Sequence, residues 1–183
     1  MKNRKYALLG IIGPAIAFLF IALSIGLSPW FSWGNNALSD LGNSVKSDVA
    51  PLFNFGLLLC GFLLIVYSIM SFKDYAKYTS MALVFAGFSL QLIATFDEVY
   101  GELHFLVSVL FFAAIGLASI SYFVEKKSKL AIIAFAIGAL SWILYGMKVY
   151  SSGVSVPEAV SAGAVAVWVV LASWRLYQKR YDS

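Results

Sequence analysis

Residues 55–70 read FGLLLCGFLLIVYSIM. No charge interrupts the stretch. It also lacks the apolar–polar alternation over about ten residues that marks a barrel strand crossing a bilayer. Residues 130–144, LAIIAFAIGALSWIL, have the same character. Both read as helices apolar on every side, which is the signature of a membrane span.

Working outward, Asp, Glu, Lys and Arg divide the chain into neutral runs at 6–39, 49–72, 78–96, 103–124, 130–147 and 159–174. A bilayer core about 30 Å thick needs roughly 20 helical residues at 1.5 Å rise each. Five runs suffice. The sixth reaches that length if Pro157 and Glu158 open the helix and Arg175 snorkels at its end. The expected fold is an all-α membrane protein, a six-helix bundle with spans near 7–29, 51–71, 79–96, 103–124, 130–148 and 158–176. Pro51 and Pro157 suit first helical turns, and Ser47 or Asp48 is placed to cap the second span. MKNRKY before the first apolar run imitates a signal peptide, but that run exceeds a signal h-region of about 7–15 residues and is kept as a span. The whole of 1–183 reads as one transmembrane domain.

Composition agrees. Apolar residues make up 61% of the 183 and charged residues 12%, with a mean hydropathy of +0.86, which excludes a water-soluble globule and a disordered chain. One cysteine, Cys60, excludes an intrachain disulfide and a four-thiolate metal site. One histidine, His104, excludes a three-His zinc centre. No phosphate-binding glycine motif occurs, and no cofactor is implied.

The net charge of +4 matters less than its placement. In the six-span arrangement Lys2, Arg4, Lys5, Lys73, Lys77, Lys126, Lys127, Lys129, Arg175, Lys179 and Arg180 share one side; Lys46 and Lys148 lie on the other. Asp40, Asp48, Asp97, Glu98, Glu102 and Glu158 take that second side, while Asp74, Glu125 and Asp182 stay with the basic one. The positive-inside rule then places both termini in the cytoplasm of a multi-pass cell-membrane protein, with no nucleic-acid partner implied. Trp30, Trp33, Tyr100, Tyr150, Trp174 and Tyr177 fall at the interfaces as an aromatic belt. Small pairs at Gly56/Cys60, Ala82/Ala86 and Ala162/Ala166 read as helix packing within the chain.

Polar side chains in lipid are costly and face one another or water. Asn54, Gln91, His104, Ser108 and Glu158 all fall in the outer halves of their spans, joined by Ser39, Asp40, Asp97 and Glu102 from the loops. These nine define an expected outward polar pocket. The loop DEVYGELH also sets Asp97, Glu98 and Glu102 beside His104, a weak metal or acid–base candidate. A solvated acidic turn is the plainer alternative. A triad would need Ser39 or Ser108, His104, and Asp40 or Asp97 to meet in space. Asp40 bracing the long loop through Asn35, Asn36 or backbone N–H groups is the simpler role.

SPWFSWGNNALSDLG (28–42) followed by PLFNFGLLLCG (51–61) resembles the signature of the membrane family catalogued as domain of unknown function 998. HFLVSVLFF (104–112) and the Pro157–Glu158 opening of the last span extend the likeness, although no Arg follows Glu158. By that resemblance Ser39, Asp40, Gly42, Asn54, Gly56, Gly61, His104 and Glu158 are signature positions, and a six-helix fold is expected without an activity.

Three functions fit. The leading one is a protein that binds a lipid or small solute in the pocket, or an accessory subunit whose partners are membrane lipids, other membrane proteins or a second copy. The second is a membrane enzyme acting on a lipid or polar headgroup through Asp40, His104 and a nearby carboxylate. The third is a small transporter. Against it, no ionisable residue sits at a span centre and no inverted repeat is evident.

Overall fold

The structure is a computed structural model that describes residues 4–149, 151 and 153–178. Lys2, Tyr150, Lys179, Arg180 and Asp182, and the side chain of Arg4, lie outside the described residues. Among the described residues the chain forms six long helices and no strand. They are α1 (Leu9–Gly26), α2 (Ala50–Tyr67), α3 (Lys77–Thr95), α4 (Glu102–Lys126), α5 (Lys129–Gly146) and α6 (Ser155–Gln178). A 3-10 turn, Arg4–Leu8, leads into α1, and α2 runs on through a π-turn, Ser68–Phe72. All six are long and apolar enough to span a membrane.

Each helix packs antiparallel against the next, and α6 returns to α1, closing the bundle. α4 also touches α6, so α5 lies outside the ring they complete. Only 17% of the α5 span is buried, against 50% of α2 and of α3. The outer faces carry exposed Leu19, Phe55, Phe62, Phe88, Phe105, Ile133 and Val167. An apolar surface of this extent is stable only against lipid.

Close approach of α2 and α3 depends on two glycines. A Cβ on Gly61 would lie 2.5 Å from the Gly87 carbonyl oxygen, and a Cβ on Gly87 would lie 2.8 Å from that of Gly61. At one end of the bundle the core is aromatic: Trp168 stacks on Tyr122 at 4.8 Å and donates its indole N–H to Ser119 Oγ at 3.0 Å. At the same end the Glu125 carboxylate of α4 accepts the Tyr78 and Thr79 N–H groups, at 3.0 and 2.9 Å, and the Thr79 hydroxyl at 2.6 Å. It thereby satisfies donors left free at the start of α3.

Some local expectations are corrected. Neither Ser47 nor Asp48 caps α2: the cap position is Val49, and the Ser47 hydroxyl donates to the Leu41 carbonyl at 2.8 Å instead. α6 starts at Ser155, not at Glu158, because Ser155 is tied to the long loop. Pro157 is therefore the third helical residue, still within the first turn where its missing N–H has no partner to lose. The small pairs pack inside the chain as expected: Gly56 lies against Phe20 of α1, and Ala162 and Ala166 face an interior crevice.

The six crossings leave a basic end, with Lys5, Lys73, Lys77, Lys126, Lys127, Lys129 and Arg175, and an acidic end, with Asp40, Asp48, Asp97, Glu98, Glu102 and Glu158.

Candidate functional site

The acidic end is roofed by residues 27–49, a segment without a long helix that carries its own hydrogen bonds. Asn36 Oδ1 accepts the Ser32 N–H at 2.9 Å, and Asn36 Nδ2 donates to Asp40 Oδ2 at 2.9 Å. The same Asp40 oxygen accepts the Ala37 N–H at 3.0 Å, ahead of a 3-10 turn at Leu38–Gly42. Three contacts strap this roof to the start of α6. Gly153 N–H and Ser155 Oγ donate to the Trp33 carbonyl at 2.9 and 3.2 Å, and Ser155 N–H donates to the Asn36 carbonyl at 3.1 Å. Below the roof, Asn54 of α2 donates to the Gly42 carbonyl at 2.8 Å. A Cβ on Gly42 would lie 2.5 Å from Asn54 Oδ1, so this approach requires glycine.

The loop between α3 and α4 completes the mouth. Asp97 accepts the Val99 N–H at 2.9 Å and the Ser44 N–H at 3.2 Å. Burial works to raise its pKa, but the bonds from Ser44 and Val99, with His104 nearby, hold it below the ordinary carboxylate value. Glu98 reaches across to the roof, where Ser39 Oγ donates to Glu98 Oε1 at 2.7 Å. Its carboxyl also contacts that of Asp40, and the two pKa values are driven apart. Burial and the Asp40 carboxyl push Glu98 up. For Asp40, burial is outweighed by bonds from Glu98, Asn36 and Ala37 and by the charge of Lys46, which push it down. Asp40 is thus the partner that ionises first as pH rises, and Glu98 the one that holds its proton longer.

Under the roof, bounded by α4, α5 and α6, lies a cavity of about 830 Å³. Ser39 and Glu98 line it from above, His104 and Ser108 from α4, Trp142 and Tyr145 from α5, and Glu158 from α6. Phe105 and Val109, exposed on α4, form its lipid-side rim. Glu158 is half-buried, and its Oε2 accepts the Leu38 N–H at 2.7 Å. His104 is buried, with Nδ1 2.8 Å from the Phe96 carbonyl. A carbonyl only accepts, so Nδ1 carries a proton, and in the neutral ring Nε2 is the acceptor.

Ser39, Ser108, Phe112 and Glu158 also border a second space, a narrow crevice of about 140 Å³ with an almost wholly apolar lining. It descends through the bundle past Cys60 to Leu64, Leu83 and Val169. Leu64 is 14 residues into α2, about 21 Å from its start at 1.5 Å per residue. The crevice therefore passes the level of the bilayer midplane.

Of the nine residues expected in one pocket, four line the cavity: Ser39, His104, Ser108 and Glu158. Asp40 stands behind Glu98 as a brace of the roof. Asn54 and Asp97 are used by backbone groups of the roof. Gln91 lies between α2 and α3, its amide 3.5 Å from the Leu58 carbonyl and its side chain over Gly61. Glu102 is exposed at the first position of α4, a different face from His104 two residues on. Of the metal candidates Asp97, Glu98, Glu102 and His104, no three stand close enough together to hold an ion, and among the described residues no other such group is found. The triad fails too, because a backbone carbonyl takes the place of Asp40 or Asp97 on His104. Glu98 enters the cavity as a lining residue rather than as a metal ligand, and Trp142 was not foreseen. Its indole N–H donates to Ser161 Oγ at 3.3 Å, and that polar partner three residues past Glu158 was the available sign.

The model of one protein family, described as protein of unknown function (DUF998), matches residues 11–175. The match runs from α1 into the last turn of α6 and includes every residue of the site. No curated protein and no solved structure matches the chain. The chain belongs to the DUF998 family.

Proposed function

We propose that this member of the DUF998 family is a multi-pass membrane protein that binds a single-chain amphiphile, head in the cavity at the acidic end and tail in the crevice. One observation carries the reading: Ser39, Ser108, Phe112 and Glu158 border both spaces. A vestibule whose largely apolar wall carries a few polar groups, adjoining an apolar shaft, matches a molecule with a polar head and a hydrocarbon tail. A polar solute in transit would meet only hydrocarbon side chains and the Cys60 thiol below Ser108, which speaks against transport of such a solute. The lipid-side rim at Phe105 and Val109 offers an entry route that does not cross the bilayer. By the positive-inside rule the acidic end faces away from the cytoplasm, and the amphiphile is taken from the outer leaflet.

The test is mass spectrometry of the full chain released from mild micelles, with bound amphiphile identified. Ala162 lines the crevice, and Ala162→Trp fills it. A stoichiometric amphiphile on the native chain, lost in Ala162→Trp at unchanged thermal stability, supports the reading. A native chain that carries none after incubation with excess amphiphile overturns it.

A second reading has its own observation. The tautomer fixed by Phe96 gives His104 a free Nε2 acceptor in the cavity wall, with Ser108 one helical turn on. That is the arrangement of a general base awaiting a proton from a bound head. Slow turnover of the bound amphiphile, abolished in His104→Gln with binding intact, distinguishes an enzyme from a binding protein.

A further inference from the structure

We infer that the head taken by this cavity is an ammonium group, a reading that rests on the amphiphile site above. The acidic side chains in the lining are Glu98 and Glu158, and no Lys or Arg side chain is among them. A phosphate or carboxylate head would meet two acidic side chains and no Lys or Arg, and would lose its hydration there. An ammonium head finds the opposite. Glu158 gives Oε2 to the Leu38 N–H, and among the described residues its Oε1 takes no hydrogen bond. One carboxylate oxygen is therefore left for a ligand donor. Trp142 and Tyr145 add aromatic rings to the same wall, set edge-to-face at 6.4 Å and 87°. The indole N–H of Trp142 is turned away to Ser161, so its ring surface rather than its polar edge is available to a cation. In its neutral form the His104 ring contributes Nε2 as an acceptor. Carboxyl groups, aromatic faces and acceptors without a Lys or Arg are the chemistry of cation recognition.

The experiment uses the full chain in maltoside micelles with three probes of one tail, octadecylamine, octadecanol and octadecyl phosphate, and one tail-less head, ethylammonium. Native mass spectrometry reads the fraction retained. Octadecylamine is expected to be retained over octadecyl phosphate by about tenfold or more. Glu158→Gln keeps an acceptor for Leu38 and is expected to narrow that preference to about threefold or less. Trp142→Leu, which leaves every carboxylate in place, is expected to reduce amine retention by about threefold and supplies the test should Glu158→Gln not fold. Octadecyl phosphate or octadecanol retained as well as the amine, and displaced by Ala162→Trp, overturns the ammonium head and leaves the amphiphile site standing. Ethylammonium retained as tightly as octadecylamine, with Ala162→Trp without effect, overturns the amphiphile site while the head chemistry survives.

Discussion

The Glu158 carboxylate and the Leu38 N–H meet at 2.7 Å across 120 residues of sequence, joining the first turn of α6 to the roof of the cavity. The same bond closes the cavity and orients its most interior carboxyl group. Removing the carboxylate leaves a buried N–H without a partner, at a cost of about 1–3 kcal/mol. Glu158→Ala is expected to lower the thermal midpoint and to speed hydrogen exchange at Leu38. Glu158→Gln, whose amide oxygen can still accept, should keep most of both. Equal loss in the two variants would mean that charge, not the bond, holds the roof.

The Asp40–Glu98 pair predicts an acid-side stability optimum. The pKa of Glu98 is raised above its ordinary 4.5, so its contribution is full below that value and is lost as pH rises through the raised one. That of Asp40 is lowered below 3.8, so its contribution is present above 3.8 and is lost as pH falls through the lowered one. Roof protection should therefore be greatest between the two and decline on either side. Glu98→Gln, with a permanent amide donor to Asp40, should flatten the decline on the alkaline side. Hydrogen exchange at Leu38 and Asn43 measured against pH checks this, and an unchanged profile in Glu98→Gln rules it out.

The number of spans, their helical nature and their order were legible in the sequence, because a lipid solvent leaves few solutions for runs such as 55–70. The grouping of polar residues toward one end was legible for the same reason. What they would do there was not. Asn54, Asp97 and Asp40 look like site residues by type, yet each is consumed by the backbone of 27–49, a segment whose turns no periodicity reports. The Ser39–Glu98 and Glu158–Leu38 bonds join residues 59 and 120 apart, and spacing along one helix cannot reveal them. Gly61 was visible through the resemblance, but its partner Gly87 was not, since reciprocal contact depends on the axial register of α2 against α3.

That register gives a packing prediction. With the Gly87 carbonyl 2.5 Å from where a Gly61 Cβ would stand, Gly61→Ala must force the two backbones apart. The expected cost is about 1–3 kcal/mol, and Gly61→Val should exceed it. Gly116→Ala is the control, since the nearest atom to its added methyl is a Phe135 ring carbon at 3.4 Å. A thermal midpoint as low in Gly116→Ala as in Gly61→Ala would show that the close approach is not what matters.

The orientation of the bundle has a direct chemical test, because the chain holds one cysteine and it is buried. In a Cys60→Ala background, Val45→Cys places a thiol on the roof, where Val45 is 77% exposed, and Asp74→Cys places one in the exposed turn before α3 at the basic end. Charge placement assigns the roof to the non-cytoplasmic face. A membrane-impermeant maleimide added to intact cells should then label Cys at 45 fully. A thiol at 74 should stay unlabelled until the membrane is opened. The reverse pattern would invert the bundle, move the cavity to the cytoplasmic leaflet, and require its amphiphile to come from that side. Label at both positions in intact cells would mean that the six helices do not all cross. Of the three outcomes, only the first leaves the basic residues where the positive-inside rule puts them and the acidic cavity open to the outer leaflet.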